Sequence, residues 1–212
     1  RFVFLFIIVW WAWLNGTLYH DLHGNNDIRA RLFTFLQMGT VAAMAIFAHD
    51  ALGETSVGFA LSYAAFLAVL TYLWWRTGVH DPVHRPLSQP YVIIFLISIA
   101  LFVRSVFVPA PWRFYMWGAS LLLSLALPSL SGMLTPADPE VQAQRAQASI
   151  LSASAEERLA LFTIIVLGEV IVGVVRGVQA TDHLDWTIGI TALLGMVVAT
   201  GIWWVYFDFL SH

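Results

Sequence analysis

Glu157-Arg158-Leu159-Ala160-Leu161-Phe162-Thr163-Ile164-Ile165-Val166-Leu167-Gly168-Glu169-Val170-Ile171-Val172-Gly173-Val174-Val175-Arg176-Gly177 decides the fold. The stretch is apolar for about five helical turns, with one carboxyl near its middle. It is too long for a buried strand and lacks the alternation of a barrel strand. An α-helix needs roughly 20 largely apolar residues to cross hydrocarbon. Residues 159–178 therefore read as a spanning helix.

Six more stretches share this character: 2–19, 32–49, 57–75, 91–108, 112–133 and 186–210. The expected fold is all-α, a polytopic transmembrane helix bundle with about seven spanning helices, forming one domain over residues 1–212. The connections are rich in breakers: Gly24, Asn25, Asn26 and Asp27, then Gly53, then Pro82, Pro86 and Pro90, then Pro109 and Pro111. Residues 134–157 form the one long polar connection, and Pro128 is expected to kink the fifth helix. The sequence opens at Arg1, already inside an apolar run, so the chain is expected to be part of a longer one.

Composition agrees. Hydrophobic residues make up 59% of the 212 and charged residues 11%, with a mean hydropathy of +0.77. Soluble domains carry about 25% charged residues, because their exterior must be wetted. A lipid exterior removes that requirement. All ten basic residues are Arg. Without Lys no retinal imine can form, so a seven-helix count does not imply a rhodopsin. The absence of Cys removes disulfides, thiolate metal sites and cysteine nucleophiles. No clustered basic face marks a nucleic-acid partner, and no nucleotide-binding or hydrolase motif occurs. No catalytic residue or cofactor is assigned.

Arg placement orients the helices weakly. The face carrying the first, third and fifth connections collects Arg29, Arg31, Arg76, Arg85, Arg145 and Arg158, against Arg1, Arg104, Arg113 and Arg176 on the other. The first face is thereby favoured as cytoplasmic. Trp74, Trp75, Trp203 and Trp204 lie towards that face and Trp112, Trp117 and Trp186 towards the other, as interface anchors do.

Polar groups inside the apolar runs carry most of the functional information. A charge at the bilayer centre costs about 2.5–3.5 kcal/mol on insertion scales. Glu169 is the sharpest case. At 100° per residue, Arg158, Glu169 and Arg176 fall within about 20° of one another, on a stripe that also holds Phe162, Ile165 and Gly173. Glu169 reads either as a group facing a wet cavity, binding a cation or relaying a proton, or as a hydrogen-bonded fastener between helices. Asn15, Gln37 and Asp208 are candidate co-lining groups, with inter-helix hydrogen bonding the simpler reading for Asn15 and Gln37. Glu157, Arg158 and Arg176 complete the charged set. Gly168, Gly173 and Gly177 would admit a close helix, and Gly173 and Gly177 are candidates for a homo-oligomer contact.

Histidines gather on the first face. His20-Asp21-Leu22-His23 and His80-Asp81-Pro82-Val83-His84 have spacings that metal sites use. His20, Asp21, His23, His80 and His84 are weak metal candidates, because both pieces are expected in loops that would not fix their geometry. Scattered interfacial histidines explain them as well.

Several of these residues resemble one family. Glu157-Arg158, the Leu161-Phe162 step and the apolar run to Leu167-Gly168-Glu169 are similar to the signature of the bacterial low temperature requirement A (LtrA) family. Trp10-Trp11-Ala12-Trp13-Leu14-Asn15, a loop with Asp27 and Arg31, and then Gln37-Met38 resemble its early region. Trp203-Trp204-Val205-Tyr206-Phe207-Asp208 resembles its later one. The three motifs keep the family's order and span nearly the whole chain. Ala160 and Val170 stand where the family usually has Gly and Ser, and Ser154 stands where it commonly has His. The resemblance implies a multi-pass bacterial inner-membrane protein, with matching acids at Glu157, Glu169 and Asp208. It implies little chemistry.

The leading expectation is a transporter or channel-like protein for a small solute or ion, with proton coupling through Glu169 and the lipid bilayer as its surroundings. The alternatives are a non-transporting sensor or assembly module and a membrane-embedded lipid-modifying enzyme.

Overall fold

The computed structural model describes residues 2–23, 28–81, 85–126, 153–179, 186–206 and 208. Every regular element among them is helical. The chain divides into two compact units, Arg1–Ile150 and Leu151–His212.

The first unit holds α1 (Phe2–His23), α2 (Ile28–Phe47) with a 3-10 turn at Ala48–Asp50, α3 (Ser56–His80), α4 (Arg85–Ser105) and α5 (Trp112–Leu125). α3 is its axis and packs against α1, α2 and α4, while α5 packs against α4. Phe59, Tyr63, Phe66, Leu67, Leu70, Leu73 and Trp74 recur at three- and four-residue spacing along α3, and all are buried. Flat aromatic contacts join the helices. The rings of Tyr63 and Phe102 stack at 4.3 Å, those of Phe102 and Trp117 at 5.5 Å, and those of Trp74 and Tyr91 at 4.2 Å, 4° from parallel. Such pairs add about 0.5–1.5 kcal/mol each beyond the area they bury.

The second unit holds α6 (Ala153–Gln179) and α7 (Trp186–Val205), packed on one another. Gly195 makes the close approach. A Cβ there would stand 2.9 Å from Val174 Cγ2.

Among the described residues, six helices are long and apolar enough to cross a membrane: α1, α2 with its 3-10 turn, α3, α4, α6 and α7. The described part of α5 has 14 residues, short of a span. The outer faces carry exposed Phe35, Leu36, Leu61, Leu96, Leu122 and Leu193, the surface that lipid requires. The all-α membrane-spanning class expected from the sequence is the one observed.

Helix ends differ from the sequence reading. α1 runs one turn further, to His23, α2 starts earlier, at Ile28, and α3 continues to His80. Apolar runs mark hydrocarbon. A helix keeps its backbone bonded as it passes into the polar interface, and it stops at the breakers rather than at the last apolar residue. α4 starts at Arg85 and takes in Pro90, whose missing N–H removes one bond from its second turn. α6 starts at Ala153, inside the stretch 134–157 read as a connection. Residues 134–152, and the kink expected at Pro128, lie outside the described residues.

Candidate functional site

Among the described residues, each unit carries a polar place that bears on function. In the first unit a pocket of about 330 Å³ opens where α1 ends, α2 begins and α3 ends. Chain order brings these three ends to one membrane face. α1 contributes Tyr19, His20 and His23. α2 contributes Arg29, Ala30 and Phe33. α3 and the residue after it contribute Leu73, Arg76, Thr77, His80 and Asp81.

The lining is tied in place. The Tyr19 hydroxyl lies 3.3 Å from the Leu73 carbonyl and 3.2 Å from Thr77 Oγ1, and Thr77 donates to the same carbonyl at 3.2 Å. The His23 ring stacks on Tyr19 at 5.5 Å and meets Trp74 edge-on at 5.2 Å. His80 Nδ1 donates to the Arg76 carbonyl at 3.0 Å. His20 Nε2 donates to Gln37 Oε1 at 3.0 Å, linking α1 to α2. Gln37 is buried, and its Nε2 has no hydrogen-bond partner among the described residues. Asn15 is buried as well and donates to its own helix, to the Trp11 carbonyl at 2.7 Å.

The expectation that His20, Asp21, His23 and His80 sit in loops is corrected: all four are helical. His20, His23 and His80 share the pocket, whereas Asp21 stays off its lining. His84 lies outside the described residues. Among the described residues no three His, Cys, Asp or Glu side chains are placed to share a metal ion.

In the second unit, Glu169 lies near the middle of α6 with its side chain exposed, and no described residue gives its carboxyl a hydrogen bond or ion pair. Arg158 and Arg176 stand about 16 Å and 10 Å from it along the axis, also exposed, as is Glu157. Asp208 Oδ2 accepts a bond from Trp204 Nε1 at 3.1 Å. Gly173 and Gly177 line a groove of about 500 Å³ between α6 and α7, with Val170, Thr187 and Thr191. A Cβ at either glycine would meet nothing within 4 Å.

With this geometry goes a match to one family model, described as bacterial low temperature requirement A protein (LtrA), over residues 1–212. The chain belongs to the LtrA family. No curated protein and no solved structure matches it. Membership makes this a bacterial membrane protein, in agreement with its apolar helices.

Reading an LtrA sequence for intramembrane polar groups passes over Arg29, Arg76 and Arg113. Each looks like an interfacial charge, and only the packing of helix ends brings Arg29 and Arg76 to one pocket and gives Arg113 its partners. Helix parity puts Arg29 and Arg76 on one face, but no sequence signal makes them neighbours. Arg113 donates through Nε to the Ser105 carbonyl at 2.9 Å, through Nη2 to the Val106 carbonyl at 3.3 Å, and through Nη1 to Ser56 Oγ.

Proposed function

We propose that this LtrA-family protein is a multi-pass protein of the bacterial inner membrane that moves a small solute or ion, with Glu169 as the group that takes up and releases a proton during passage. One observation supports the reading. A carboxyl stands midway along a 27-residue apolar helix without a bond from its own hairpin. At that depth a carboxyl must be sheltered by protein or water. A water-lined route meets the need and gives the proton a path.

The sequence has no Cys, so a single introduced thiol reports water access. In lipid vesicles, the Glu169→Cys protein reacts with a water-soluble thiol reagent, because only a hydrated thiol ionises readily. The Ile164→Cys protein, altered on the opposite side of α6, does not. Glu169→Gln abolishes proton-coupled flux in the same vesicles. Equal labelling at the two positions, or unchanged flux in the Gln variant, refutes the proposal.

A second reading, an assembly module, draws on the open groove at Gly173 and Gly177. The hairpin uses Gly195 for its own close contact and leaves those two glycines for a helix from another copy of the chain.

A further inference from the structure

The pocket at the ends of α1, α2 and α3 has no part in that proposal, and its charge pattern opposes a cation. Arg29 and Arg76 bring permanent positive charge from two different helices. Asp81 is the one carboxyl on the lining among the described residues. His20, His23 and His80 add imidazoles from α1 and α3. Arg29 and Ala30 lie in the first turn of α2, so the positive end of a 20-residue helix opens onto the same space. Phe33 and Leu73 supply an apolar wall.

We propose that this pocket binds a phosphate-type oxyanion held between Arg29 and Arg76. Guanidinium donors approach from α2 and α3, and the first-turn N–H groups of α2 open onto the same space. A tetrahedral group with three or more oxygens can meet them from several sides, whereas a planar carboxylate fills a single guanidinium fork. At about 330 Å³ the space is at the small end of ligand clefts. It takes the phosphate together with a small attached group against Phe33 and Leu73. The pocket lies at the ends of membrane-length helices, where dissolved phosphates and phospholipid headgroups both reach.

The full chain in neutral detergent distinguishes the sources. Inorganic phosphate is titrated calorimetrically. Phosphatidic acid, with phosphatidylcholine as control, is scored by retention in native mass spectrometry. Heat from inorganic phosphate identifies a soluble anion; retention of phosphatidic acid alone identifies a headgroup. For whichever probe binds, Arg29→Gln/Arg76→Gln weakens binding about tenfold or more, and Arg104→Gln on α4 leaves it unchanged. Asp81→Asn removes the opposing charge and tightens binding about threefold, a gain that misfolding does not produce. Wild type that binds neither probe, a double variant that binds as wild type, or an Asp81→Asn protein that binds no more tightly overturns the proposal.

Discussion

Arg113 should be the costliest single charge to remove from the first unit. It stands in the first turn of α5 and reaches across the start of α3 and the end of α4. The last carbonyls of a helix have no partner within it; Arg113 supplies a donor to the Ser105 carbonyl, which closes α4 and also accepts from the Val108 N–H at 3.2 Å, and another to the Val106 carbonyl just beyond the helix. Ser56 and Ser105 are 1% and 0% exposed, so little water reaches the bonds from that side. A hydrogen bond to a charged group contributes about 1.5–3 kcal/mol. Counting the 2.9 Å bond and the one to Ser56 in full, and the 3.3 Å bond as marginal, gives roughly 3–6 kcal/mol. Arg113 is itself only half-buried, and water entering the vacated rim offsets about half. Arg113→Met should therefore destabilise the protein by about 1.5–3 kcal/mol. Arg113→Lys should recover less than half, because an ammonium cannot reproduce the planar fork. Reversible unfolding in mixed micelles, followed by helical circular dichroism against SDS mole fraction, measures both. A Met variant within about 0.5 kcal/mol of wild type, or full recovery by Lys, would show that water satisfies these carbonyls just as well.

Gly58→Ala places a Cβ 2.6 Å from the Phe47 ring and should destabilise by about 1–3 kcal/mol in the same assay, whereas Gly39→Ala meets nothing within 4 Å and should be neutral or stabilising by up to about 1 kcal/mol. If the open α6–α7 groove takes a second copy of the chain, Gly173→Leu fills it and lowers the dimer fraction in cross-linking while leaving helical content unchanged; an unaltered dimer fraction removes the assembly reading.

The helices were legible because hydrocarbon imposes a length and a composition, and the stretch around Leu159–Leu167 satisfies both without help from packing. Their ends were less so. His20, His23 and His80 look like loop residues because the apolar run stops before them, yet the backbone stays helical to His23 and His80. The basic pocket was legible only in part. Residues 20–23 and 76–81 announce charge at one face, but the pocket that Arg29 and Arg76 share arises from packing α1 and α2 on α3. Arg113 was illegible for the same reason: its partners are two backbone carbonyls, which every residue has, and the hydroxyl of Ser56, which only packing brings near.

Polar atoms in the described helices also sort by how they are satisfied. Ser62 donates to the Gly58 carbonyl, Thr71 to Leu67, Ser105 to Phe102 and Thr163 to Leu159. Each is a hydroxyl closing on its own helix, which lets a spanning segment carry polar residues at small cost and says nothing about function. An ionised carboxylate cannot do this, since it accepts bonds only and helix carbonyls offer no proton. Glu169 lies on the same helix as Thr163 and has no such bond. The contrast within one helix is what separates Glu169 from ordinary intramembrane polarity. Its shelter has to come from outside its own backbone, and thiol labelling at that position tells water from protein.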